Sequence, residues 1–337
     1  MSMSPEFSRG NIIMSRVRLA RNLNGYPFFI SDVPTAKDVV KKVYRALVKS
    51  DTFNLCYMSN FSNIKLEAMK ERHLISQNLI ENKERGAVLI NTDETISVMV
   101  NEEDIIREQC FVRGLRVGEA YKKLSLVDNE LIKNLDIAYS DKWGYLTACP
   151  TNLGTGLRAS VMMFLPALTE SNKIDDLIVE ANRLGLTIRG VYGEGSRAEG
   201  YTYQISNEVT LGVSETEILN QVEEAVERIC VAESQEMQRL FKKNKLSIMD
   251  RSKKSFGILT NAVVLTYEEF LRHLAQVKIG AMMGVIDILD IEKMDDLTVA
   301  VRPANLCERY GKVLSAIDRD LVRAEIVWKQ LLKLRGE

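Results

Sequence analysis

At 337 residues the chain has room for two domains, or for one large domain with an appendage. With 46% hydrophobic and 27% charged residues it supports a packed core, which excludes global disorder. A balance of 45 basic against 46 acidic residues leaves a net charge of −1, which excludes a global pull toward nucleic acid or membrane and makes any basic site local. Five scattered cysteines (Cys56, Cys110, Cys149, Cys230, Cys307) without CxxC spacing fit a reducing cytoplasm and give no zinc or disulfide framework. No apolar run approaches the ~20 residues of a membrane span, and no signal peptide opens the chain.

In chain order, residues 1–10 read as a flexible tail. Residues 86–90 and 95–101 are two β-rich runs around NTDE, a hairpin; 137–150 around DKWG and 187–207 around GEGSRAEG predict two more. Residues 170–184 show helical apolar spacing and stop at Gly185. Ser214-x-x-Glu217 is a capping box that opens a helix predicted to reach about residue 242. The polar, basic stretch 242–254 reads as a linker. Thr266-x-x-Glu269 caps another helix, and 305–334 is helical almost throughout. The expected fold is α+β: an antiparallel β-sheet flanked by helices in a catalytic domain at 11–242, then a mainly helical C-terminal domain at 243–337.

Four segments join turn or strand-end positions to unusual chemistry. Arg16 and Arg18 alternate in SRVRLAR, so an extended chain puts them on one face. Residues 101–107 read NEEDIIR, three carboxylates and an arginine at a strand end. Residues 149–161, CPTNLGTGLRASV, place a thiol, a Gly-rich loop and Arg158 together. Residues 189–196, RGVYGEGS, form a Gly-rich strand end. Each has an ordinary reading alone: a solvated helix face, a helix start with dipole-stabilised acids, a small buried thiol, a hairpin tip. Together, arginines from separate segments supply the planar, always-charged donors that a polyphosphate needs. A carboxylate among them suits a second, cationic substrate.

CPTNLGTGLRASV, VNEEDIIR, SRVRLAR and YQISNEVTLG, in that family's order over roughly residues 11–242, closely resemble the catalytic motifs of the phosphagen (ATP:guanidino) kinases. Three features resemble its bacterial protein-arginine kinase branch: an arginine motif starting at residue 16, with no room before it for the roughly 100-residue N-terminal domain of the metabolic kinases; Tyr192 where those tend to carry arginine; and RDLVRA at 319–324, similar to that branch's phosphoarginine motif. The resemblance implies a glutamine-synthetase-like catalytic fold that moves the γ-phosphoryl of MgATP onto arginine side chains of proteins, marking clients for degradation or serving a stress response. Arg16, Arg18, Arg107, Arg158 and Arg189 would line the phosphates. The nucleotide-contacting segments would be Met14, Ser15, Arg16, Val17 and Arg18; Arg158, Ala159, Ser160, Val161 and Met162; and Arg189, Gly190, Val191, Tyr192, Gly193 and Glu194; His73 would sit nearby. Glu103 would be the catalytic base, with Cys149 a thiolate whose pKa the arginines lower. Mg²⁺ would be held by the nucleotide and water, with no dedicated metal site. Arg319, Asp320, Arg323 and Ala324 would read phosphoarginine, with Ala324 small enough to let the ligand approach.

The chain departs from the family at Ile105, where a histidine is common, and at Arg197, where many relatives carry a second acid; Glu194 or Glu199 are the substitutes at hand. Implied partners are proteins with exposed arginine, a zinc-binding activator of the McsA type, Clp-type protease machinery and a second copy of the chain, in the cytoplasm, with no nucleic acid and no membrane. Two other readings stand beside this one: a kinase of free guanidino compounds, separated by its activity on free arginine, and a phosphoarginine-binding adaptor with weak catalysis, which Arg197 favours.

Overall fold

The computed structural model describes residues 10–48, 53–191 and 198–336. In chain order the elements are β1 (Ile12–Arg21), α1 (Val33–Leu47), β2 (Phe53–Tyr57), α2 (Asn63–Glu71), α3 (Gln77–Glu81), β3 (Ala87–Asn91), β4 (Ile96–Val100), β5 (Ile106–Arg113), α4 (Val117–Asn134), β6 (Tyr139–Ser140), β7 (Gly144–Tyr145), β8 (Leu157–Phe164), α5 (Pro166–Glu170), α6 (Ile174–Arg183), β9 (Leu186–Gly190), β10 (Thr202–Asn207), α7 (Glu215–Asn261), α8 (Tyr267–Met282), α9 (Glu292–Ala300), α10 (Pro303–Arg309) and α11 (Ala316–Arg335). The sheet runs β2-β3-β4-β5-β1-β8-β10-β9, with β6-β7 as a separate ribbon. The chain falls into two units, the first Met14–Val161 with Ser206–Glu224, the second Met1–Ile13 with Met162–Ile205 and Ala225–Glu337.

In the first unit the ladder β2-β3-β4-β5-β1 is antiparallel, with Leu89 opposite Val98, Met99 opposite Arg107 and Arg18 opposite Gln109. All five residues of β4 and four of five in β3 are buried. Helices on both faces explain this departure from simple alternation. Val88, Ile90 and Met99 pack with Leu66, Met69 and Leu79 of α2 and α3, while α1 and α4 lie against β4 and β5. β1 and β8 keep the alternation that matters for the site: Val17 and Leu19 are buried, Arg16 and Arg18 half-exposed, Leu157 and Ala159 buried, Arg158 half-exposed.

In the second unit Phe164, Ala167, Met237, Ile248, Ala275 and Ile279 form a core between α5, α7 and α8. Buried Glu233 on α7 accepts from the backbone N–H groups of Ala167 and Leu168 at 2.7 and 2.9 Å, which satisfies the orphan donors at the start of α5.

Several sequence expectations change. The linker at 242–254 is helical: α7 continues to Asn261 and only Asn244 leaves helical geometry, at φ −124°, ψ 27°. KKNKLSIMDRSKK contains no Gly or Pro, and its polarity marks a solvated helix, not a break. The helix predicted from 170 starts at Ile174, because Asn172 takes φ +55° and ends α5. The 137–150 hairpin is paired over only two residues per strand. In the C-terminal stretch Gly311, at φ +65°, separates α10 from α11. Both capping boxes form, Ser214 with Glu217 and Thr266 with Glu269.

Candidate active site

The acidic strand end is a closed turn. β4 stops at Val100, and Asn101 adopts φ +62°, a left-handed geometry that asparagine tolerates better than most residues. Its side chain, in turn, donates to Ala36 O and Arg85 O at 3.1 and 3.0 Å. The Asn101 N–H donates to Ile105 O at 2.8 Å, so residues 102–104 bulge out together. Their three carboxylates have different fates. Buried Glu102 accepts from Arg107 Nη1 at 2.7 Å and from the backbone N–H of Glu103 at 2.6 Å. Buried Asp104 accepts from Asn22 Nδ2 at 2.7 Å and from the backbone N–H of Ala148 at 2.6 Å. Glu103, between them, is exposed. Partial burial and the charges of Glu102 and Asp104 push its pKa up, against the pull of Arg107. Ile105 is fully buried and faces the core.

Glu103 shares a cleft of about 220 Å³ with Arg18, Asp104, Arg107, Cys149, Thr151, Asn152, Gly156 and Arg158. Arg16 stands opposite Phe111 on β5, its guanidinium 5.9 Å from the ring centre. Burial, then repulsion from Arg107 and Arg158, lowers its pKa to about 10. Burial and the charges of Arg16, Arg107 and Arg158 also hold that of Arg18 well below the usual guanidinium range, with Glu102 opposing. Arg18 Nε is buried without a hydrogen-bond partner among the described residues. Partly desolvated cations that repel one another, with a donor left over, are a site built for an anion. An ATP triphosphate fits that demand.

Cys149 is half-buried and its thiol lies 3.0 Å from Thr151 Oγ1. Burial raises the pKa of Cys56, and raises Cys110 and Cys230 to about 11 and about 12; Cys307 is buried. We therefore expect limited alkylation, mapped by peptide mass, to label Cys149 first and MgATP with an arginine substrate to protect it; another cysteine labelled first would contradict this placement.

The remaining expected site residues divide. Met14 shares the exposed parity of Arg16 and Arg18. Ser15 is buried and tied to Gly114 O and Arg116 N at 2.7 and 2.9 Å, and Val17 is buried, so neither side chain faces the cleft side of β1. Ala159 and Val161 are buried; Ser160 Oγ donates to Arg16 O at 3.4 Å. His73 follows α2 at φ +62° and lies outside the lining of the 220 Å³ cleft. Met162, Arg189, Gly190 and Val191 belong to the second unit, with Arg189 exposed at the end of β9. Tyr192, Gly193, Glu194 and Arg197 lie outside the described residues. Sequence reasoning missed Glu102, Asp104 and Asn22 as organisers of the turn; three successive acids at a strand end were the only signal.

In the C-terminal motif Arg323 is 1% exposed. It donates to Val301 O and Leu265 O at 3.0 and 2.8 Å and pairs with Asp320. Ala324 is also 1% exposed, which corrects the expectation that it admits a ligand; it is small because it packs inside. Arg319, which donates to Leu314 O at 3.0 Å, and Asp320 are the half-exposed pair. Arg323→Ala strips donors from one carboxylate and two carbonyls, and we expect a loss of about 3–5 kcal/mol in denaturant unfolding. Arg319→Ala should cost under about 1 kcal/mol. Similar losses for both would contradict the bracing role.

The pattern of an ATP:guanido phosphotransferase C-terminal catalytic domain matches residues 35–236, and that of a protein-arginine kinase McsB C-terminal domain matches 245–337. The chain belongs to the ATP:guanido phosphotransferase family and, within it, to the protein-arginine kinases. It is 39% identical over 334 residues to the protein-arginine kinase of Caldanaerobacter subterraneus subsp. tengcongensis, covering 97% of this chain and 99% of that one. It is 42% identical to that of Halothermothrix orenii, covering 96% and 93%. Among solved structures, a lombricine kinase matches with a TM-score of 0.58 at 25% identity, over 67% of this chain and 66% of that one. A duplicated taurocyamine kinase from Schistosoma mansoni matches in fold, with a TM-score of 0.60 at 23% identity, over 81% and 40%.

Proposed function

We propose that the protein transfers the γ-phosphoryl of MgATP to the guanidinium of arginine side chains in proteins. The observation that carries this reading is the cleft itself: one exposed carboxylate, Glu103, among several partly desolvated guanidinium groups. Arginine is a poor nucleophile, because its charge is delocalised and its pKa exceeds ~12. A carboxylate facing it accepts its N–H groups, aims one nitrogen, and takes the proton as the N–P bond forms; such base action is typically worth ~10²–10⁴-fold. The upward pKa shift makes Glu103 a stronger base than an ordinary glutamate. Arg18, Arg107 and Arg158 would hold the phosphates with Arg16. Mg²⁺, when present, neutralises phosphate charge and needs few protein ligands.

Full-length similarity to protein-arginine kinases supports protein substrates over free guanidino compounds. It supports the catalytic domain as 11–242 and the C-terminal domain as 243–337, the latter holding a phosphoarginine reader on Arg319 and Asp320 with Arg323 as its brace. The same kinship favours self-association, a zinc-binding activator and a Clp-type protease as partners in a cytoplasmic stress response. None of the described helices is long and apolar enough to cross a membrane. Incubation with MgATP and either free arginine or a denatured protein separates the substrates. The proposal expects acid-labile phosphate on the protein; transfer to free arginine alone would overturn it.

A further inference from the structure

Arg21, the third arginine of SRVRLAR, points away from the anion cleft. It is fully buried and carries a bidentate ion pair to Asp128 of α4, Nε to Oδ1 at 2.9 Å and Nη2 to Oδ2 at 2.8 Å. Its guanidinium carbon lies 3.5 Å from the centre of the Tyr145 ring. Nη1 donates to Ala20 O at 2.9 Å and to Thr155 O at 3.0 Å. Thr155 belongs to the loop that carries Cys149, and the next residue, Gly156, lines the cleft. Gly156 sits at φ +65°, and a Cβ there would come within 2.6 Å of both Arg21 Nη1 and Ala20 O. The Ala20 N–H donates to Gly156 O at 3.0 Å, so the loop's end lies directly on the arginine.

The other end of the loop is also held, by Asp104 accepting from the Ala148 N–H at 2.6 Å. Asp104 adjoins Glu103. The loop thus has an anchor beside the base and an anchor on Arg21, and Thr210 adds to them: its Oγ1 donates to Thr151 O and Leu153 O at 3.0 and 2.7 Å, and its carbonyl accepts from the Thr155 N–H at 3.0 Å. A further carboxyl closes the network. Glu108 is fully buried beside Asp128, and burial, then the Asp128 charge, push its pKa well up against the pull of Arg21.

We propose that Arg21 is a positioning residue for phosphoryl transfer: anchored on Asp128 and stacked on Tyr145, it fixes the Thr155 carbonyl and so sets the 149–156 loop against Glu103. This rests on the proposed function. The role needs arginine, because one planar group must pair bidentately, stack, and still donate to two carbonyls; a lysine ammonium cannot do all three.

The test is Arg21→Lys in the full chain, read by kcat and KM for MgATP and protein substrate, and by amide hydrogen exchange of residues 151–156. We expect kcat to fall about 30-fold or more, since small misplacements of reacting groups cost ~10². KM for MgATP should stay within about threefold, because the cleft arginines are untouched. Loop amides should exchange at least about tenfold faster, with the β3-β4 core unchanged. Unchanged loop exchange, or kcat within about threefold of wild type, overturns the proposal. So does loss of MgATP affinity equal to the loss of kcat, which would mark a general structural role. If Arg21→Lys does not fold, Tyr145→Leu removes the stack and the edge contact with Tyr139 but leaves the Arg21–Asp128 pair, and should shift kcat and loop exchange in the same directions; no shift overturns the proposal. A wild type that phosphorylates no protein would sink the functional reading, while loop exchange would still decide the clamp.

Discussion

Glu103→Gln is expected to lower phosphoryl transfer by about 10²–10⁴-fold while MgATP affinity stays within a few-fold of wild type. The amide keeps the shape and one acceptor oxygen but loses the charge and the basicity. Glu103 is the exposed acid of the three, and Glu102 and Asp104 spend their oxygens on Arg107, Asn22 and backbone N–H groups. The wild type should show an acid limb in kcat/KM above the usual glutamate range. The base must be ionised to act, so activity falls as pH drops through its pKa, and burial with two neighbouring carboxylates raises that pKa. In Glu103→Gln this limb should vanish from the residual activity. A variant that keeps more than about a tenth of wild-type turnover, or the same limb, would assign the base elsewhere.

Arg18→Met is expected to move two measurements in opposite directions. Affinity for MgATP should fall about 100-fold, because a charge-assisted, partly desolvated contact to phosphate is lost. The protein without nucleotide should become more stable, by about 1 kcal/mol once solvent screening of the half-exposed group is allowed for. The reason is that burial and the charges of Arg16, Arg107 and Arg158 all disfavour the charged Arg18 in the empty cleft. Stability given up for binding is a common mark of functional sites. Calorimetric titration with MgATP and thermal unfolding without it read the two effects. A destabilised variant, or one that binds MgATP as well as wild type, would contradict the picture of an anion site under internal repulsion.

How far the sequence reveals this protein follows from how local each signal is. The alternation of Arg16 and Arg18 is a two-residue pattern, and the structure puts both on the half-exposed face of β1. The capping boxes at Ser214 and Thr266 are equally local, and both form. The continuation of α7 through 242–254 was not legible, since a polar run reads alike as linker and as solvated helix until a neighbour packs against it; Ile248 does, in the core with Met237 and Ala275. The division of labour among Glu102, Glu103 and Asp104 depends on partners up to 82 residues away, such as Asn22 on Asp104. Arg21 and Arg323 look like surface cations in a one-dimensional reading. Asp128, Thr155, Leu265 and Val301, all distant in sequence, take them inside.

The most direct test of the central claim is site-localised mass spectrometry of a denatured, arginine-rich protein after incubation with the kinase and MgATP at neutral pH. The account predicts phosphoryl groups on arginine that acid removes, and at least about 100-fold fewer in the same time when Glu103→Gln replaces the wild type. Acid-stable phosphate on serine or threonine, or unmodified arginine in the presence of an activator protein, would contradict it.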